Sequence, residues 1–201
     1  MKNSCTFVRQ IKMKRKIINI LELPWKLIIS TTATWDNIAS SHASKKEIRN
    51  QYVFPWIAIT VMVVFIFESV YASEKPLQTG LINAIISSVS LFGGYFLSNT
   101  ICFWYLRKQQ PEKYTALDCE RIVSYSFSAV FLLKIVTTVL PSLFFLQILN
   151  IYTAYMVWEG CRAVLKMNEE ERGNIVLIFT LFIIFSPVVI SLIVHLMLPN
   201  V

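Results

Sequence analysis

Long apolar stretches alternate with short polar connections over most of the 201-residue chain. A helix rises about 1.5 Å per residue, so about 20 apolar residues cross the ~30 Å hydrocarbon layer of a bilayer. Apolar stretches of this length with few charges are typical of transmembrane helices. We therefore predict an all-α integral membrane protein with five transmembrane helices, at about residues 54–71, 79–106, 122–140, 142–158 and 174–198.

Residues 1–50 are predicted to form a basic segment that precedes the membrane domain, residues 51–201. Apolar residues recur at three- and four-residue spacing between Ile17 and Ile29, which predicts an amphipathic helix. One interpretation places this helix in the plane of the lipid headgroups, with Trp25 and Trp35 at interfacial depth. The other packs its apolar face on the ends of the spans. The pattern alone favours both equally.

The basic residues are concentrated in alternate connections. Of the 19 Lys and Arg residues, ten lie in the N-terminal segment, four in or beside the second connection and three in the fourth, whereas Lys75 alone lies in the first. Lys and Arg are retained on the cytoplasmic side of a membrane. The N-terminus is therefore predicted to be cytoplasmic and the C-terminus external.

Composition and charge favour lipid over nucleic acid as the partner. The chain is 55% hydrophobic with a mean hydropathy of +0.57, and its formal net charge is +7. The excess charge lies in the predicted cytoplasmic segments, where anionic headgroups attract it, and no nucleic-acid recognition motif accompanies it. The four cysteines match no zinc spacing and are expected to be reduced thiols. We therefore expect neither a metal nor a cofactor.

Each predicted span places a polar or ionisable side chain in its outer half. A charge at bilayer depth costs about 2.5–3.5 kcal/mol on insertion scales, so such groups rarely face lipid unpaired. One interpretation is a small polar cavity, open to the outside, that binds an ion, a lipid headgroup or a peptide. The other is a set of ordinary interhelical hydrogen bonds with a lysine that reaches water. This predicted polar layer consists of Glu68, Asn83, Lys134, Gln147, Asn150 and His195.

Short motifs along the chain resemble those of the bacterial members of the Yip domain family. The stretch Thr34-Trp35-Asp36-Asn37-Ile38-Ala39 precedes the first span, and the other motifs follow in the order of that family. Their main positions are Pro55, Gly93, Gly94, Tyr125, Pro141, Trp158, Glu159 and Gly160.

The resemblance covers roughly residues 30–200 and implies a cytoplasmic N-terminal segment, five spans and an external C-terminus. It also implies a bacterial protein of the cytoplasmic (inner) membrane. The family is named for membrane proteins that interact with Ypt/Rab GTPases. The acidic DLYGP-type motif of its eukaryotic branch is absent before the first span, so the resemblance assigns no GTPase partner here.

The sequence contains no HExxH, no P-loop and no pair of intramembrane aspartates. We therefore predict a noncatalytic membrane adaptor or scaffold, with an unidentified protein partner and anionic lipid bound at its cytoplasmic face. The alternative is a small transporter or lipid-handling protein that uses the polar layer. The sequence is also compatible with a homo-oligomer. The predicted lipid and partner surface consists of Lys12, Lys14, Arg15, Lys16, Trp25, Lys26 and Trp35.

Overall fold

The computed structural model describes residues 22–109 and 112–197, and all regular structure in these ranges is helical. Residues 22–29 are helical, and α1 (Thr31–Ser40) follows them. Four helices are long and apolar enough to cross a membrane, namely α2 (Lys45–Tyr71), α3 (Pro76–Gln109), α4 (Ala116–Val139) and α6 (Glu169–Met197). The remaining helix, α5 (Tyr152–Gly160), is shorter. The prediction of an all-α membrane protein is confirmed.

The fourth predicted span differs in local structure from the four long helices. A 3₁₀ helix covers Pro141–Ile151, α5 continues directly from it, and a π turn covers Cys161–Leu165. Leu143 has non-helical φ/ψ angles and kinks this segment, so at a 3₁₀ rise of about 2.0 Å per residue its 11 residues cover at most about 22 Å. The nine residues of α5 add about 13 Å. The segment therefore covers about the thickness of a bilayer, although it is not one of the four long helices.

Prolines mark two helix irregularities and one interior position at a helix crossing. Pro141 starts the 3₁₀ helix after a one-residue connection at Leu140. Pro55 follows a π turn at Arg49–Val53 within α2. A proline ring crowds the carbonyl four residues earlier, and a wider π turn relieves that crowding. Pro187 lies inside α6, where this helix meets α3.

Two adjacent glycines bring α3 and α6 close together. A Cβ atom on Gly94 would lie 2.7 Å from the backbone nitrogen of Pro187, and one on Gly93 would lie 2.7 Å from the Ile190 side chain. The Ser186 hydroxyl donates to the Gly94 carbonyl at 2.7 Å. Small residues allow this approach, and membrane helices associate largely through such close packing. The glycine pair therefore sets the crossing of α3 on α6.

Helix α4 lies at the centre of the bundle. In the most apolar 18-residue stretch of α4, 67% is buried, compared with 28–44% in the corresponding stretches of the other three long helices. Its serines Ser124 and Ser128 are fully buried, and the Ser128 hydroxyl is hydrogen-bonded to that of Tyr52. From Glu120 to Lys134, α4 rises about 20 Å and so joins two distinct ends of the bundle. The end near Glu120, which carries Arg49, Arg121 and Arg162, is called the basic end. The end near Lys134 is called the opposite end.

Candidate functional site

Residues 22–44, which belong to the described part of the N-terminal segment, pack on the basic end. Leu27 of this segment is fully buried in the core. The Tyr152 hydroxyl donates to the Ile28 carbonyl at 2.9 Å, and the Arg121 guanidinium donates to the Ser41 carbonyl at 2.6 Å. Of the described residues on the predicted apolar face, Ile28 packs against the core, whereas Trp25 and Ile29 are 54% and 80% exposed. Residues 1–21, including the basic cluster Lys12, Lys14, Arg15 and Lys16, lie outside the described residues.

Trp35 joins the N-terminal segment to the core. Its ring is fully buried and lies edge-on to Tyr125, with 6.1 Å between the ring centroids. A Cβ atom on Gly160 would lie 3.0 Å from the same ring, so the glycine makes room for the indole. The structure thus places Trp35 in the core rather than on the predicted lipid and partner surface. Trp25 is 54% exposed.

An ion cluster beside Trp35 links α1 to the end of α5. The Arg162 guanidinium donates to Glu159 at 2.7 Å and to Asp36 at 2.9 Å. The hydrogen bond to the Glu159 carboxylate, together with the one to Asp36, raises the pKa of Arg162, so the guanidinium stays charged. Asp36 is 57% exposed. The cluster therefore holds the N-terminal segment in place and presents charge at the molecular surface.

Four of the eight family-like motif positions come together at the basic end. Trp158 lies under the Arg172 guanidinium, 4.8 Å from the ring centroid. Arg172 also donates to the Met167 carbonyl at 2.7 Å, which orients the turn before α6. The four positions that meet Trp35, Asp36 or this arginine are Tyr125, Trp158, Glu159 and Gly160.

A buried carboxylate lies deeper at the same end. Glu120 is 1% exposed and receives two hydrogen bonds from Arg49, at 2.5 and 2.6 Å. The Asn99 amide donates to it at 2.5 Å, and the Tyr95 hydroxyl is also hydrogen-bonded to it. The Arg49 guanidinium lies 5.3 Å from the centroid of the Phe96 ring. This Glu120 cluster joins α2, α3 and α4.

The Glu120 cluster was not predicted from the sequence, in which Arg49 is one of several charges of the basic segment. One local signal was available. Thr115 and Asp118 form a capping box, in which each side chain binds the other's backbone N–H, and this fixes the start of α4. Glu120 therefore lies inside a membrane helix and needs a partner.

The structure divides the predicted polar layer at the opposite end into two groups. The Asn83 amide donates to the Glu68 carboxylate at 3.1 Å. The other four members, Lys134, Gln147, Asn150 and His195, line one cavity of about 710 Å³. Lys134 lies within electrostatic range of Glu68 but beyond the 4.0 Å of an ion pair.

Lys26, the last described member of the predicted lipid and partner surface, forms an ion pair with Glu22 at 2.6 Å. Within residues 22–109 and 112–197, no group of three or more His, Cys, Asp or Glu side chains is placed to hold a metal ion. The basic end presents charged side chains at its surface, and the opposite end contains the cavity.

Comparison with curated proteins and with solved structures gave no match. The family model of the Yip1 domain matches residues 25–192, a range that includes the N-terminal segment from Trp25 onward and all four long helices except the last residues of α6. The matched range therefore includes the described residues of the basic end from Trp25 onward and all the lining residues of the cavity except His195. The chain belongs to the Yip1 domain family.

Proposed function

We propose that the protein is a noncatalytic membrane adaptor or scaffold whose basic end binds anionic lipid and a protein partner. The observation that carries this proposal is the packed N-terminal segment, held by Trp35 and by the Asp36–Arg162 ion pair at 2.9 Å. The proposed lipid-binding residues Lys12, Lys14, Arg15 and Lys16 precede this segment in the sequence. Anionic lipid attracts each of them by about 1 kcal/mol. Membership of a family of membrane proteins supports this role.

For the membrane arrangement we propose five spans, a cytoplasmic N-terminus and an external C-terminus, in a bacterial inner membrane. The uneven distribution of Lys and Arg supports the orientation. The 3₁₀ helix and α5 together supply the fifth crossing by length. Their apolar surface supports it too, because the side chains of Phe144, Ile148 and Ile151 are each more than 70% exposed.

Cysteine labelling tests this topology. A membrane-impermeant maleimide should modify a cysteine introduced at Ser73 and should spare cysteines at Ser44 and Lys113 until the membrane is permeabilised. All three positions are exposed, so burial does not explain a difference. The native Cys5 is replaced in each variant, and Cys102, Cys119 and Cys161 are buried. Labelling at Lys113 in intact cells would overturn the orientation.

Partner capture tests the adaptor function. Replacing Lys12, Lys14, Arg15 and Lys16 by Gln should reduce the amount of partner that co-purifies after cross-linking in membranes and mild-detergent extraction. The control replaces four exposed basic residues elsewhere at the basic end, Arg107, Lys108, Lys113 and Lys166, and so removes the same charge. Equal capture by both variants would contradict the proposal. A deletion of residues 1–50 is unsuitable, because it removes buried Trp35 and the Arg49 partner of Glu120.

A small transporter or lipid-handling protein is the second candidate function. The observation that favours it is the cavity of about 710 Å³ at the opposite end. Movement of an ion or lipid across proteoliposomes by the purified protein would establish this function in place of the adaptor.

A further inference from the structure

We propose that the cavity at the opposite end binds the phosphate group of a glycerophospholipid, with Lys134 as its counter-cation. This inference goes beyond the adaptor function and does not rest on it. It names a ligand for the cavity of the second candidate function, and it concerns binding whether or not that ligand is moved across the membrane.

The cavity combines a polar part with an apolar wall. Its volume of about 710 Å³ lies within the ~300–1,000 Å³ range of small-molecule sites. Residues of α3, α4, the 3₁₀ helix and α6 line it. Two wall residues of α6, Val188 and Leu192, are 59% and 60% exposed. The cavity therefore opens through the side of a transmembrane helix, where the surroundings are lipid.

Lys134 supplies the positive charge. It is the one Lys or Arg that lines the cavity, and no carboxylate lies within 4.0 Å of its ammonium group in the described part of the chain. Glu68 interacts with Lys134 electrostatically without forming an ion pair, and it accepts a hydrogen bond from Asn83. A cation at bilayer depth is costly unless an anion or water accompanies it. A phosphate is a suitable partner, because an ammonium group binds it as a point charge.

A chain of hydrogen bonds orients the amides beside Lys134. The Thr137 hydroxyl donates to the Leu133 carbonyl at 2.8 Å, so it accepts from the Gln147 amide at 3.0 Å. The Gln147 carbonyl oxygen then accepts from Asn150 at 2.6 Å. This leaves Asn150 Oδ1 as a buried acceptor with no partner among the described residues. A headgroup that carries a hydroxyl or ammonium donor next to its phosphate would complement it.

His195 also lines the cavity. Its Nδ1 lies 2.8 Å from the Ser191 carbonyl, and a carbonyl only accepts hydrogen bonds, so Nδ1 carries the proton. One cation together with the unpartnered Asn150 acceptor matches a phosphate flanked by donors better than it matches a bare inorganic anion.

The apolar wall distinguishes a lipid from a soluble phosphate ester. The lining side chains Leu91, Val130, Ile184, Val188 and Leu192 form a surface next to the polar part. Burial of an acyl chain against this wall favours binding through the hydrophobic effect, which a soluble anion would not gain. We therefore place the phosphate on Lys134 and an acyl chain along this wall.

The test uses delipidated full-length protein and phosphatidylglycerol with a photoactivatable acyl chain. The native protein should bind the lipid and cross-link it within residues 188–192. Lys134→Met should bind about tenfold more weakly, the order expected for one charge-assisted hydrogen bond, whereas Lys134→Arg should retain binding. The control Lys75→Met removes a lysine near the same end of the bundle but outside the cavity and should bind normally.

Three outcomes would overturn the proposal. They are equal binding by Lys134→Met and the native protein, cross-links confined to other helices, and competition by inorganic phosphate as strong as that by phosphatidylglycerol. Diacylglycerol, which lacks the phosphate, should compete poorly. If Lys134→Met does not fold, Val188→Trp tests the same site from its exposed apolar side and should reduce cross-linking. Neutralising Lys12, Lys14, Arg15 and Lys16 should leave this binding unchanged, so failure of the adaptor proposal is distinguishable.

Discussion

Glu120→Gln is expected to lower the free energy of unfolding by about 2 kcal/mol or more. The Glu120 carboxylate is 1% exposed and receives two hydrogen bonds from Arg49 and one from Asn99. The substitution keeps the size of the side chain but removes its charge, and its amide N–H groups face donors. Breaking a fully buried ion pair costs about 3–5 kcal/mol. The Arg49 side chain is 34% exposed, so solvent screening lowers this value.

Thermal unfolding in a mild detergent measures the effect, and Glu170→Gln is the control because Glu170 is exposed in the first turn of α6. A double-mutant cycle with Arg49→Gln separates the pair from general damage. If the ion pair stabilises the bundle, the second substitution should cost much less once the first is present. A Glu120→Gln protein that melts with the control would show that the cluster contributes little.

The membrane helices could be predicted from the sequence because length and hydropathy are local properties. The stretches at 54–71 and 79–106 correspond to the apolar parts of α2 and α3. The 3₁₀ structure of Pro141–Ile151 could not be predicted, because a lipid-facing α-helix and a 3₁₀ helix show the same run of apolar residues. Which of them forms depends on contacts with α4 that the pattern does not contain.

The pairing of charged residues was less predictable than their depth. Position along a span gives the depth of a side chain, and this was sufficient to predict that Lys134, Gln147, Asn150 and His195 lie at one level. The direction in which a side chain points around the helix axis depends on the neighbouring helix. Glu68 consequently contacts Asn83 rather than Lys134.

The same limit applies at the basic end. Trp35 has the residue type and the sequence position of an interfacial residue, and only the fold shows that Tyr125 and Gly160 enclose it. Arg49 and Glu120 are 71 residues apart in the sequence. An excess of positive charge indicates membrane orientation, whereas individual ion pairs follow from which helices are neighbours.

The crossing of α3 and α6 leads to the second large expected effect. Gly94→Leu should lower the free energy of unfolding by about 2 kcal/mol or more, because overpacking costs typically 1–3 kcal/mol and here the obstacle is backbone. The nearest atoms to a Cβ at this position are a side-chain carbon, the nitrogen and the Cα of Pro187, at 2.7, 2.7 and 2.8 Å. These cannot rotate away, so the two helices must separate. Separation also breaks the hydrogen bond from Ser186 to the Gly94 carbonyl.

The matched control is Gly173→Leu in the first turns of α6, where a Cβ would meet nothing within 4 Å. Leucine favours the helix over glycine by up to about 1 kcal/mol, and the two variants share this gain. The control should therefore melt at or slightly above the temperature of the native protein, and Gly94→Leu well below it. Since propensity cancels in the comparison, the difference between the two melting temperatures reports the contact with Pro187 alone. Equal melting temperatures would mean that α3 and α6 are not held together at this glycine.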